Sequence, residues 1–232
     1  VAPDTSDLPE LPDGWCWASV GQIANVGTGA TPLRSNRDYY DSGLIHWVTS
    51  SALNKNLITE AEEYITELAI QETNTKIFPK HSLLVAMYGE GKTRGKVSEL
   101  LIEAATNQAC AALWFEDNEV DIKSYVKLFF QKNYEDIRRL SSGGVQPNLN
   151  LGIIKATILP LPTLVEQRKI VQEVSHLSSV LEKLEKTIET NLKRSEKLRQ
   201  SILKQAFTGQ LVPQNPNDEP ASKLLERIKA EK

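Results

Sequence analysis

The sequence predicts an α+β protein, a globular mixed α/β domain followed by a long coiled-coil helix. Two observations carry that prediction. Up to residue 162, short apolar runs of five to seven residues, set between Gly- and Pro-marked turns, are mixed with two helix-like stretches. From Leu164 the pattern becomes a heptad repeat with no Gly or Pro before Gly209.

Residues 1–13, with Pro3, Pro9 and Pro12, read as an extended entry segment. The stretch Trp15–Val26 alternates loosely and predicts one strand, closed by the tight loop Gly27-Thr-Gly-Ala-Thr-Pro32. Further strands are expected at Ile45–Thr49, Ser82–Tyr88, Lys96–Ile102, Ala109–Phe115 and Ile153–Leu159, the last ending at Pro160-Leu-Pro162. Helices are expected at Glu60–Glu72 and Asp121–Leu140. The second has Tyr125, Leu128, Phe129 and Ile137 on one face and stops at Ser141-Ser-Gly-Gly144.

In the heptad region Val174, Leu181, Ile188 and Ile202 fall at a, and Ile170, Leu177, Leu184 and Leu198 at d. Asn191 and Ser195 interrupt the seam with polar groups, a device that sets register at a cost in stability. At 1.5 Å per residue a helix from Leu164 to Ala206 reaches about 64 Å, against a radius of gyration of about 15 Å for a 160-residue globule. It is expected to project beyond the globule and, having one apolar stripe, to need a partner helix. The other outcome is a helix folded back on its own domain. After Gly209 a tail carrying Pro213, Pro216 and Pro220 leads to a short amphipathic helix, Ala221–Lys232.

The 232 residues carry 27 Lys+Arg against 30 Asp+Glu and are 40% apolar, which excludes disordered, collagenous and low-complexity classes. No apolar stretch approaches the roughly 20 residues of a membrane span, and the start lacks the pattern of a signal peptide, so a cytoplasmic chain is expected. Its first residue is Val, which suggests a piece of a longer chain or a trimmed product. Cys16 and Cys110, 94 positions apart, fit neither a disulfide framework nor a zinc site, and both read as buried hydrophobes. His46, His81 and His176 are scattered, as structural rather than metal-binding or triad residues are.

Charge is uneven: 14 basic and 20 acidic residues up to 162, net −6, against 13 and 10 beyond, net +3. Within the acidic part, residues 76–98 hold Lys76, Lys80, Lys92, Arg94 and Lys96 against Glu90 alone. The stretch Ala86-Met-Tyr-Gly-Glu-Gly-Lys-Thr93 spells a relaxed phosphate loop, but another β-like run follows where such a loop needs a helix N-terminus. Read instead as a glycine-punctuated basic loop, it lets the backbone approach a partner while Lys and Arg meet phosphates and base edges. The loops Gly27–Arg34 and Ser141–Asn148 add Arg, Asn, Gln, Ser and Thr, the residue types that hold phosphates or read bases.

Several segments in order resemble the target-recognition half of a type I restriction-modification specificity subunit. They are Leu11-Pro-Asp-Gly-Trp15 with Thr28-Gly-Ala-Thr-Pro32, Ala86-Met-Tyr-Gly89 with Arg94-Gly-Lys96, Asn107-Gln108, and Gln146-Pro-Asn-Leu-Asn150. Leu159-Pro-Leu-Pro162 with Glu166-Gln167 follows, then Ile202-Leu-Lys-Gln-Ala-Phe-Thr-Gly-Gln-Leu-Val-Pro213 with Asn217-Asp-Glu-Pro220.

The resemblance implies a non-catalytic reader of double-stranded DNA. Residues 14–162 form the target-recognition domain, 163–208 the spacer and dimerisation helix, and 209–232 a tail. The complete subunit has two such sets with antiparallel helices, so this chain is expected to be half of one, or a half-subunit that dimerises. Methyltransferase subunits using S-adenosylmethionine dock on the helical core, and endonuclease subunits using ATP and Mg join them; the chain itself takes no cofactor. Two readers on successive major grooves stand about 34 Å apart, within reach of such a helix. Lys92, Arg94 and Lys96 are the expected phosphate and base contacts, with Thr31, Arg34, Thr93, Gln146 and Asn148 as further readers. The net −6 predicts weak binding without basic partners. Two other readings stay open: a coiled-coil assembly module that reads no DNA, and a nucleotide-dependent enzyme.

Overall fold

A computed structural model describes residues 5–88, 93–116, 120–140 and 149–231. Eleven strands and seven α-helices form among them. In chain order they are β1 Cys16–Ser19, α1 Val20–Ile23, β2 Asn25–Thr28, β3 Ile45–Val48, β4 Leu57–Ile58, β5 Glu63–Ile65, α2 Glu67–Glu72, β6 Ile77–Phe78, β7 Leu83–Ala86, β8 Val97–Leu100, β9 Ala104–Thr106, β10 Cys110–Trp114, α3 Val120–Lys132, α4 Tyr134–Leu140, α5 Leu151–Ala156, β11 Ile158–Leu161, α6 Leu164–Phe207 and α7 Ala221–Ala230. Short 3₁₀ turns lie at Arg37–Tyr39 and Ser50–Asn54. The chain divides into two compact units, up to Val174 and from Ser175.

The first unit is layered. A five-stranded sheet, in the order β2-β10-β7-β8-β4, lies beside a four-stranded sheet, β5-β3-β9-β6, and β1 pairs β11 as a ribbon. All pairings are antiparallel except β3 with β9 and β4 with β8. Both faces of β7 and β10 are buried, and the period of two sorts their side chains. Leu83, Val85, Ala111 and Leu113 join Val20, Val126, Phe130 and Ile154 in a core under the helices. Leu84, Ala86, Cys110 and Ala112 join Val48, Leu53, Phe78 and Ala104 in a second core shared with the four-stranded sheet. Trp47, Ile65, Ala69 and Ala105 form a third on that sheet's other side.

Glu99 of β8 fastens the sheet to α3. Its carboxylate meets Lys123 at 2.8 Å, Lys127 at 3.3 Å and His81 Nδ1 at 3.1 Å. Burial alone would raise its pKa, but the hydrogen bonds from Lys123 and His81 and the lysine charges outweigh burial and hold it below the ordinary carboxylate range.

Four local expectations are corrected. The run Trp15–Val26 is two strands divided by α1, which begins where Val20 N donates to Thr157 O at 2.9 Å. In Glu60–Glu72 the first part pairs with β3 as β5, and the helix starts only after Thr66, whose hydroxyl accepts from Ala69 N at 3.3 Å. Ile153 and Ile154 lie in α5, not in a strand, because Asn150 caps that helix: Ile153 N donates to Asn150 Oδ1 at 2.9 Å. Cys16 is exposed, while Cys110 is buried and burial pushes its thiol up to about 12.

α6 is a continuous helix of 44 residues. Ile170 packs with Val171 against the core under the helices, whereas Leu177, Leu181, Leu184, Ile188, Leu198 and Ile202 are 44–62% exposed. Among the described residues no helix is long and apolar enough to cross a membrane.

Candidate nucleic-acid interface

The C-terminal ends of β2, β7 and β9 and the N-terminal ends of β8 and β10 share one edge of the two larger sheets. The loops between them are joined there by hydrogen bonds in series. The first loop, Thr28–Pro32, is held from several sides. Thr28 Oγ1 donates to Cys110 O at 2.8 Å, Trp47 Nε1 and Thr75 Oγ1 donate to Ala30 O at 3.2 and 3.3 Å, and Tyr40 donates to Pro32 O at 2.6 Å. Gly29 is required: a Cβ there would stand 1.8 Å from Thr106 O.

From this pinned loop the exposed Thr31 hydroxyl donates to the Gln108 carboxamide oxygen at 2.6 Å. Gln108 sits on the turn after β9, which Asn107 closes by accepting from Ala109 N at 3.1 Å. Ala109 O then accepts from Met87 N at 2.8 Å, and Met87 O accepts from Leu149 N at 3.2 Å. The loop after β2, the turn after β9, the base of the β7–β8 hairpin and Leu149 are thus contiguous. The Thr28–Pro32 loop, the flanks of the β7–β8 connection and Leu149, which follows Ser141–Asn148 in the sequence, meet at one place; Ser141–Asn148 itself lies outside the described residues.

Thr93, Arg94 and Lys96 lie on the return of the hairpin. Gly95 takes φ +86°, a conformation glycine adopts without strain, and donates to Ala86 O at 2.8 Å, while Lys96 N donates to Thr93 O at 3.0 Å. The element that follows Thr93 is the strand β8, where a phosphate loop would run into a helix. Lys96 Nζ donates to Asn54 Oδ1 at 2.8 Å beside a cleft of about 320 Å³ floored by Leu53, Val97 and Phe130. An ammonium has three N–H groups, so this bond leaves two for a phosphate.

Arg34 forks onto the Glu63 carboxylate and lies over the rings of Tyr40 and Trp47. The hydrogen bonds to Glu63 raise the Arg34 pKa and, reciprocally, hold Glu63 below the carboxylate range. The basic patch of residues 76–98 is divided by the fold. Lys76 is exposed, one residue beyond the Ile77–Ala105 pair and so at the Thr106 end, but Lys80 and His81 precede β7, at its opposite end from Lys96. Lys92, Gln146 and Asn148 lie outside the described residues.

Residues 12–194 match the family described as the type I restriction modification DNA specificity domain. The chain belongs to this family. It is 27% identical to the type I restriction enzyme EcoDI specificity subunit of Escherichia coli, over 97% of this chain and 50% of that protein. It is 26% identical to the MjaIX specificity subunit of Methanocaldococcus jannaschii, over 78% of this chain and 42% of that protein. Among solved structures the HsdS subunit of Thermoanaerobacter tengcongensis shares the fold, with a TM-score of 0.61 and 20% identity over 89% of this chain and 48% of that one. A structure titled for assembly and conformational transition of the type I R-M system has a TM-score of 0.68 at 19% identity, covering 89% of this chain and 49% of that one. The chain spans about half the length of the curated relatives it matches.

In this specificity domain the structure adds Gln108, Asn107 and Asn54 to the sequence-predicted set, as partners of Thr31, Ala109 and Lys96. Asn107-Gln108 stood out in the sequence only as a family motif. Among the described residues no group of three or more His, Cys, Asp or Glu is placed to hold a metal ion.

Proposed function

We propose that this chain reads one half of a split, double-stranded DNA target for a type I restriction-modification complex. One observation carries the reading: in a chain of the DNA specificity domain family, the described loop residues Thr31, Asn107, Gln108, Thr93, Arg94 and Lys96 adjoin at one end of a sheet whose central strands β7 and β10 are buried on both faces. A rigid sheet holding adaptable polar loops suits base readout, and Lys96, Arg94 and Lys76 suit phosphate contact. The assigned readers are Thr31, Arg34, Lys92, Thr93, Arg94, Lys96, Gln146 and Asn148, with Gln108 added.

The exposed stripe of α6 supports pairing with a second recognition half and docking of methyltransferase subunits. The chain supplies sequence choice and no chemistry. Adenine methylation with S-adenosylmethionine, and cleavage with ATP and Mg, belong to the methyltransferase and endonuclease partners. Methylome sequencing of a host with and without the gene tests this: a bipartite adenine motif should disappear with the gene, and an unchanged methylome overturns the reading.

A further inference from the structure

Among the residues of α6, Gln167 alone is fully buried, at 1% exposed, while Ile170 and Val171 are half-buried and from Gln172 onward the helix is exposed. Its carboxamide Nε2 donates to Pro162 O at 2.8 Å and its backbone N–H donates to Thr163 O at 2.9 Å. Its Oε1 is also buried and finds no acceptor role among the described residues. A leucine would fill the same space without an orphaned oxygen, so packing does not account for a glutamine here.

Neighbouring contacts converge on the same turn. Thr163 Oγ1 donates to Glu166 Oε2 at 2.7 Å in a capping arrangement, and the Trp15 side chain also hydrogen-bonds to Glu166. Pro162 directly follows β11, which pairs with β1 from Cys16–Leu161 to Ser19–Ile158. One turn further along, Ile170 and Val171 enter the core under the helices. The Nε2–Pro162 bond is thus the buried directional link between the ribbon's end and the first turn of α6, beside the exposed Thr163–Glu166 contact.

We propose that Gln167 is a positioning residue for target spacing: by fixing the direction of the base of α6 it sets how many base pairs are admitted between the two half-targets. This rests on the split-target reading above. α6, 44 residues long, spans about 66 Å at 1.5 Å per residue. With one reader held on its half-target, a tilt of about 3° at the helix base moves the far end by about 3.4 Å, the rise of one base pair.

The test uses the chain assembled with its second recognition half and the methyltransferase subunits. Duplexes carry both half-targets at the native spacing or with one base pair added or removed. The unmodified complex should favour native spacing about 100-fold, the loss a 1 Å misplacement can cause. Gln167→Leu should cut that ratio to about 10 or less, with base preference inside each half-target unchanged. Gln167→Glu keeps the size but cannot donate to Pro162 O, and should follow Gln167→Leu. Should Gln167→Leu not fold, as read by circular dichroism, Gln167→Glu carries the test. An unchanged spacing ratio, or an equal rate loss at all three spacings, overturns the proposal. Absence of any sequence dependence in the unmodified complex instead overturns the split-target reading, and this inference with it.

Discussion

The Arg34 guanidinium lies 4.7 Å from the centre of the Trp47 ring, with Tyr40 at 5.0 Å and Glu63 held in a fork. Its charge is therefore directed at a carboxylate, although Arg34 sits on the loop assigned to DNA. A phosphate would have to displace Glu63. Replacing Glu63 by Gln is expected to tighten DNA binding and steepen the slope of log affinity against log salt by about 0.9, one added phosphate contact. Binding titrations across salt concentrations check this, and an unaltered slope refutes it.

Gly29 allows the close approach that seats the first reader loop. In Gly29→Ala the new Cβ would stand 1.8 Å from Thr106 O and 2.7 Å from its carbonyl carbon, both backbone atoms that cannot rotate aside. The loop must lift and strain the bonds to Ala30 and Pro32. The expected cost is about 1–3 kcal/mol, the range for overpacking. Urea unfolding should show a lower midpoint, and an unchanged midpoint contradicts the seating described.

The strands with continuous apolar character, β7 and β10, and the heptad helix α6 are legible in the sequence because their patterns are local. Glu63–Ile65 is not, since its strand conformation comes from pairing with β3, sixteen positions away at the Trp47–Glu63 pair, well outside a window of local periodicity. α5 is misread because the Ile153-Ile154 pair favours strand while a single cap at Asn150 decides for helix. The reader loops announce themselves by glycine and proline, but their partners do not. Thr31 meets Gln108 across 77 positions, and Lys96 meets Asn54 across 42.

Glu99 makes stability depend on acid. Its folded pKa is depressed, so its contribution is complete above the unfolded carboxylate value of about 4.3 and is lost as pH falls through the lower folded value. The melting temperature should hold steady from neutral pH down to about 5 and then drop. Glu99→Gln leaves the buried Lys123 without its carboxylate, so it should cost about 1–3 kcal/mol at neutral pH and make the acid drop shallower. Thermal melts of both proteins across pH decide it; parallel curves exclude this role.

Leu184 occupies a d position midway along α6, exposed like the other seam residues from Val174 onward. The seam is expected to pair with a second copy when no other half is supplied. Proline at 184 removes one helical hydrogen bond and clashes with the preceding turn, at about 3 kcal/mol or more. That corresponds to a weakening of pairing by roughly 100-fold, since each 1.4 kcal/mol is a factor of ten. Sedimentation velocity at rising concentration should show the unmodified chain moving from its 25.9 kDa monomer toward a dimer, with Leu184→Pro remaining monomeric. The cores of the first unit contain no part of this turn, so its melting should be unaffected. Equal association of the two proteins would show that the stripe is not the pairing surface.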